Sequence, residues 1–233
     1  FPIVLDTQDP DKIIEIVTAI APGFGGINLE DIKAPECFYI EEELKKRLSI
    51  PVMHDDQHGT AIVVTAALIN AAEVVKKDFK KLKVVIVGAG AAGTAVTKLL
   101  LKAGVMHIVV IDREGVLHHS RTDLAPHKKV LAHATSHHHG IHGGLIEALS
   151  GADALIGVSG PNIISPKDIW LMAPRAIVFA LANPIPEIMP DVAKKAGAAV
   201  VASGRSDFPN QVNNSLAFPG VFRGALDHGV TKI

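Results

Sequence analysis

Short continuous apolar runs recur along the chain at residues 84–87, 107–111, 154–156, 176–180 and 199–201. Such runs read as strands buried on both faces. Helical or irregular segments separate them, and that alternation predicts an α/β fold with a doubly wound parallel sheet. The first third reads differently. Residues 2–5 are expected as a short strand. Asp9 then caps a helix that carries Pro10 in its first turn and Ile13, Ile14, Val17 and Ile20 as its apolar stripe. Residues 22–26 make a turn, and residues 27–32 a short extended stretch that ends in acid. Residues 36–48 read as an amphipathic helix, with Glu41–Lys45, Glu42–Lys46 and Glu43–Arg47 spaced for ion pairs. Residues 51–54 are expected as a strand. Asp55-Asp56-Gln57-His58-Gly59 follows, then a long apolar helix from about Thr60 to Lys76. A boundary near that helix divides the chain into segments 1–62 and 63–233. No internal repeat is visible.

Composition narrows the class. Of 233 residues, 48% are hydrophobic but only 4% aromatic, so the core is mostly Val, Ile, Leu and Ala. The formal net charge is -1 without a basic block, which argues against nucleic acid or an anionic membrane as a partner. The longest apolar run, 61–72, is broken by Thr65 and Asn70 and reads as a buried helix rather than a membrane span. Cys37 is the only cysteine, so a disulfide framework is excluded and a cytoplasmic, reducing setting is expected. No signal peptide is visible. The chain opens on Phe1 without a Met, as a processed start or a piece of a longer protein does.

The strand at 84–87 runs into Gly88-Ala89-Gly90-Ala91-Ala92-Gly93 and then a helix over 92–102. G-x-G-x-x-G is weak alone, but a strand before it and a helix after it make a dinucleotide-binding, Rossmann-type unit. Gly88 permits the tight turn, Gly90 lets a pyrophosphate approach, and Gly93 lets helix and strand pack closely. The helix N-terminus supplies N–H groups and partial positive charge. Asp112 ends the second strand, 19 residues beyond Gly93. An acid there suits the adenosine ribose and repels a 2′-phosphate, which favours NAD over NADP, while the adjacent Arg113 softens the preference.

A second group, Glu30, Asp31, Asp55 and Asp56, stands at the ends of the two early strands. Paired carboxylates serve hard-cation ligation, acid–base work or capping, and Asp56 is placed to cap the helix after it. Three or four convergent oxygens would suit Mg²⁺ or Mn²⁺. Residues 118–142 hold eight of the twelve histidines, including His137, His138 and His139. That segment reads as a solvated helix and loop.

Four separated motifs, with one extension, carry a resemblance over nearly the whole chain. They are FGGINLEDI at 24–32, HDDQHGT at 54–60, ANPIPE at 182–187 and GRSDFPNQVNN at 204–214, extended by FPGVFRGALD at 218–227. Together they resemble the small bacterial and archaeal malic enzymes. That family oxidises L-malate and decarboxylates it to pyruvate, with NAD or NADP and Mn²⁺ or Mg²⁺. By the resemblance, Glu30, Asp31 and Asp56 are metal ligands, and Asp55 sits beside them as a catalytic residue that tunes acid–base groups. Asn183 and Asn214 hold malate's carboxylates. Gly88, Ala89, Gly90, Ala91, Ala92, Gly93 and Asp112 hold the cofactor. Val158, Ser159 and Asn183 lie along it toward the nicotinamide. The chemistry asks for a Lewis acid at the C2 oxygen and for stabilisation of the charge left when CO₂ departs. A homodimer is implied.

The family draws its general base (a Lys), its proton donor (a Tyr) and a substrate-binding Arg from sequence N-terminal to the region matched by Phe1. Tyr39 does not match the family's Tyr and reads as a packing residue. No lysine in 76–83 takes the base role. The resemblance therefore implies the C-terminal part of a substrate and metal domain joined to a complete cofactor domain, expected to bind NAD but to turn over malate poorly or not at all. Two other readings are a malolactic enzyme, which makes lactate, and a non-catalytic NAD-binding module, in which Asp56→Ala changes nothing measurable.

Overall fold

Asp9 starts the first helix as expected: its carboxylate accepts the N–H groups of Asp11 and Lys12, and Pro10 fills the first position of α1 (Pro10–Ile20). The computed structural model describes residues 1–136 and 140–233. Residues 2–5 do not form the expected strand. Pro2 lacks an N–H, Val4 is 95% exposed, and the small sheet nearby has only β1 (Ile27–Leu29) and β2 (Val52–His54). These two pair in parallel, Ile27 opposite Val52 and Leu29 opposite His54. Between them runs α2 (Glu36–Arg47). Its three expected ion pairs all form, at 3.0, 3.3 and 3.3 Å. Ile14, Val17, Leu29, Ile40, Leu44 and Val52 close a small core. Tyr39 is not packed in it. The ring is half exposed and its hydroxyl donates to Asp11 Oδ1 at 2.9 Å, tying α2 to α1.

The long helix α3 (Asp55–Val74) begins five residues before the expected start. His54 is its N-cap residue, with no side-chain cap, so Asp56 is not the cap. Both aspartates instead lie in the first turn, where the helix dipole favours negative charge. Ala61, Val64, Leu68, Ala71 and Ala72 are buried, as the apolar run predicts.

The main sheet has six strands: β3 (Lys83–Val87), β4 (His107–Asp112), β5 (Gly115–Val116), β6 (Ala154–Gly157), β7 (Ile177–Ala180) and β8 (Val200–Ser203). Their order is β5-β4-β3-β6-β7-β8. All neighbours are parallel except β5, which pairs antiparallel with β4. Only Arg113 and Glu114 join β4 to β5, and two residues make a hairpin, never a crossover. Side chains alternate between two cores. Val84, Ile86, Ile108, Val110 and Phe179 pack toward α3 and α4 (Ala91–Lys102). Val85, Val87, Val109, Ile111 and Val178 pack on the other face, with α6 (Leu145–Leu149), α7 (Pro166–Trp170) and α8 (Pro190–Lys195). Covered on both faces, these strands need no polar alternation, which is why they read as unbroken apolar runs.

The histidine-rich segment contains α5 (Pro126–Ser136). It is less solvated than expected: Leu131, Ala132 and Thr135 are buried. His127 bonds Ala89 O at 3.3 Å and its ring lies 5.2 Å from Phe38. His137, His138 and His139 lie outside the described residues. The chain closes with α9 (Phe218–Asp227). Among the described residues, no helix is long and apolar enough to cross a membrane.

Candidate functional site

Chain order reverses direction across the sheet between β3 and β6, and ligands of such sheets bind outside the carboxyl ends of the strands at that point. The glycine loop occupies it. Gly88 has φ +118°, and a Cβ there would stand 2.5 Å from Val158 O. A Cβ on Gly93 would stand 1.8 Å from Gly88 O, so α4 can cross β3 this closely only with glycine. A Cβ on Gly90 would meet nothing within 4 Å, which leaves its face open to a ligand. The N–H groups of the first turn of α4 have no acceptor within the helix. A backbone loop shaped this way fits a pyrophosphate.

Asp112 ends β4, at the rim of a cavity of about 980 Å³. Its carboxylate is already engaged. Arg121 donates to Oδ1 at 2.8 Å and to Oδ2 at 3.3 Å, Lys128 to Oδ2 at 2.7 Å, and Glu114 N–H to Oδ1 at 3.0 Å. Desolvation raises the Asp112 pKa, but the bonds from Arg121 and Lys128 outweigh it and hold the carboxyl below its usual range. Arg121 and Lys128, rather than Arg113, are the cations beside this acid.

The acidic group assembles from two strand ends and one helix start. Carboxylate oxygens of Glu30, Asp31 and Asp56 all lie within 4.8 Å of one another. Asp31 takes φ +55°, and its N–H donates to Asp56 Oδ2 at 3.1 Å. Asp55 is buried at 2% exposure, and its Oδ1 has no hydrogen-bond partner. The Asp55 carboxyl is pushed up to about 6, by burial first and then by the charge of Asp56. Glu30 is exposed as a residue, yet its head turns in to Asp55, and desolvation followed by the charges of Asp56 and Asp55 pushes it up to about 7. Converging hard oxygens that repel one another fit a divalent cation.

These shifts carry a pH dependence. In the folded protein both carboxyls still hold protons where the unfolded chain has lost them. The contribution of these two carboxyls to metal-free stability therefore falls as pH rises from about 4.5 toward about 7, and a bound cation must displace their protons. The gain in Tm from saturating Mn²⁺ is expected to grow between about pH 5 and about pH 7.5, with proton release on binding that fades at the upper end. A Tm gain independent of pH in this range contradicts the assignment.

Glu41 holds the acidic turn in place. It is buried and accepts from His54 N–H at 3.0 Å, Gln57 Nε2 at 3.2 Å and His58 Nε2 at 3.1 Å, with Lys45 at 3.0 Å. Burial raises its pKa, but bonding and charge from His58 and Lys45 prevail and bring it down to about 2.

Ala92 of the glycine loop and Asp56 of the acidic turn reach one cavity of about 270 Å³. Asp56, Ala92, Val158, Ser159, Asn183 and Asn214 all line it. Gly59 makes this possible: a Cβ there would stand 1.8 Å from Asp55 Oδ1 and 3.1 Å from Asn214 Cβ. Asp112 lies apart, on the larger cavity across β3. Reading the sequence missed Arg121, Lys128, Glu41 and Glu187. The first two sit in the segment that reads as a solvated helix and loop. Glu187 closes the ANPIPE motif and Glu41 lies in the ion-pair helix, but neither position signals locally that its carboxylate turns inward.

Comparison with known proteins bears on this geometry. The family description "Malic enzyme, NAD binding domain" matches residues 57–233, and "Malic enzyme, N-terminal domain" matches residues 5–45. The chain is 55% identical to an NAD-dependent malic enzyme of Geobacillus stearothermophilus, across 97% of this chain and 47% of that protein. It is 52% identical to a bifunctional malic/malolactic enzyme of Bacillus subtilis, across 100% of this chain and 57% of that one. The solved NAD-dependent malic enzyme of Thermotoga maritima superposes with a TM-score of 0.95 at 49% identity, covering 100% of this chain and 62% of the other. The chain thus spans about half the length of the two relatives. Other relatives are described as NADP-dependent.

Proposed function

The chain belongs to the malic enzyme family, and from that premise we propose that it forms the cofactor and metal side of a site for the oxidative decarboxylation of L-malate to pyruvate. The observation that carries the reading is the single cavity on which Asp56, Ala92, Ser159, Asn183 and Asn214 meet. In this reading Glu30, Asp31 and Asp56 hold Mn²⁺ or Mg²⁺, and Gly88 to Gly93 hold the dinucleotide phosphates. When bound, the nicotinamide accepts hydride and the divalent ion acts as a Lewis acid. Asn183 and Asn214 donate amide N–H groups to malate's two carboxylates and so orient C2. Asp55, buried beside the ligands with its carboxyl raised by burial, tunes their charge. Residues 1–62 bear the metal ligands, and residues 63–233 the cofactor.

NAD is the proposed cofactor, with NADP also accepted. A free acid at the end of β4 favours NAD, but Asp112 is not free, and Arg121 and Lys128 offset its charge. Cys37, buried and unpaired, suits a cytoplasmic setting. A homodimer rests on the resemblance alone.

Among the described residues, the wall of the smaller cavity contains no lysine or tyrosine. Tyr39 is turned to Asp11, and Lys77 donates to Asp153 at 2.6 Å and to Pro174 O at 2.7 Å. These 233 residues are therefore proposed to bind NAD and metal without turning over malate. The test is the full-length protein with L-malate, NAD and Mn²⁺, where NADH and pyruvate are expected in equal amounts. A folded protein that forms no NADH above background overturns the reading. The bifunctional relative favours one alternative, malolactic activity, and lactate without net NADH would select it.

A further inference from the structure

Glu187 ends the Asn183-Pro-Ile-Pro-Glu stretch and is 1% exposed. Among the described residues no cation pairs with its carboxylate. A buried, unpaired carboxylate is costly unless hydrogen bonds satisfy it. Here backbone N–H groups do so. Oε1 accepts from Ser159 N at 2.8 Å and from the Ser159 hydroxyl at 3.3 Å, and Oε2 accepts from Ala182 N at 3.0 Å. Hydrogen bonds to an ionised acceptor are stronger than those between neutral groups. One side chain thus clasps two loops, one leaving β6 and one leaving β7.

The end of β6 is shaped for this carboxylate. A Cβ on Gly157 would stand 2.5 Å from Glu187 Cδ and 2.8 Å from its Cγ. Both clasped loops line the smaller cavity, as Asp56 does. The strand order fixes which part of a dinucleotide they meet. With the pyrophosphate at Gly88 to Gly93 and the adenosine beyond β4 at Asp112, the other half lies over β6 and β7.

On the reading that this chain binds NAD, we propose that Glu187 is a positioning residue for the nicotinamide ring of the cofactor. It does not touch the cofactor. It orients Ser159 and Ala182 by holding their N–H groups, and so sets the wall against which the nicotinamide ring rests. The adenosine end at Asp112 lies on the separate, larger cavity, outside its reach.

Calorimetric titration with NAD and with ADP-ribose, which lacks the nicotinamide, separates this role from a purely structural one. The parent protein is expected to bind NAD more tightly than ADP-ribose. Glu187→Gln keeps the shape, but its amide NH₂ faces one of the two loop N–H groups and cannot accept from it. The variant is expected to lose about tenfold in NAD affinity while ADP-ribose binding changes less than about twofold. Gly157→Ala leaves the carboxylate in the chain but displaces it, and is expected to show the same selective loss; it decides the matter if Glu187→Gln does not fold. Equal weakening of both ligands, no weakening of either, or a parent that does not prefer NAD overturns the proposal. A parent that binds neither ligand overturns the cofactor reading itself, and the proposal with it.

Discussion

The Gly93→Ala protein is expected to bind NAD about 10- to 100-fold more weakly than the parent. The added Cβ would stand 1.8 Å from Gly88 O, and that oxygen belongs to backbone, not to the tip of a flexible side chain. Relief requires α4 to move away from β3. Overpacking of this kind costs about 1–3 kcal/mol, and a chain of this length loses a few degrees of Tm for each. The same movement carries the N–H groups of α4's first turn away from the phosphates, so stability and affinity fall together. Gly90→Ala makes the contrast. Its Cβ meets nothing of the protein within 4 Å, so Tm is expected to hold while NAD affinity drops. Thermal melts and NAD titrations on the pair check this. If Gly90→Ala binds NAD as the parent does, the ligand does not lie against this loop.

The second large effect falls on the metal. Asp56→Asn is expected to weaken Mn²⁺ binding by about 100-fold or more, since even residues behind metal ligands cost about 10- to 100-fold when changed. Metal-free stability should behave differently. The substitution removes an acid from the first turn of α3, worth about 0.3–1 kcal/mol there. It also removes the charge that, after desolvation, does most to raise Glu30 and Asp55. The two changes oppose each other, so the metal-free Tm should stay within about 4 °C of the parent. Melts with and without Mn²⁺ decide between this account and a merely structural Asp56. A structural role predicts a lower metal-free Tm and an unchanged gain from Mn²⁺.

What could be read in the sequence was what local chemistry controls. The strand-glycine-helix unit at 84–102 is contiguous, and burial on both faces writes its strands as apolar runs. The cap at Asp9 and the ion pairs of α2 depend on neighbours two to four residues away. Features set by distant partners were hidden. The clamp on Asp112 comes from residues 9 and 16 positions on, in a segment whose composition suggests only a wet surface. Glu187 reaches Ser159 across 28 positions, and Glu41 reaches His58 across 17. The start of α3 was misplaced because Asp-Asp-Gln-His-Gly has the composition of a loop; its glycine gives room to Asp55 and Asn214 inside a helix. Residues 2–5 have strand composition but pair with neither sheet.

The glycine loop and the acidic turn are proposed to serve one site. Mn²⁺ is paramagnetic and broadens the proton resonances of whatever ligand lies near it. In NMR spectra of NAD in exchange with the protein, Mn²⁺ is expected to broaden the nicotinamide protons strongly and the adenine protons weakly. Asp56→Asn should abolish that difference. Equal broadening of the two rings, stronger broadening of adenine, or a pattern that survives Asp56→Asn would contradict a shared site.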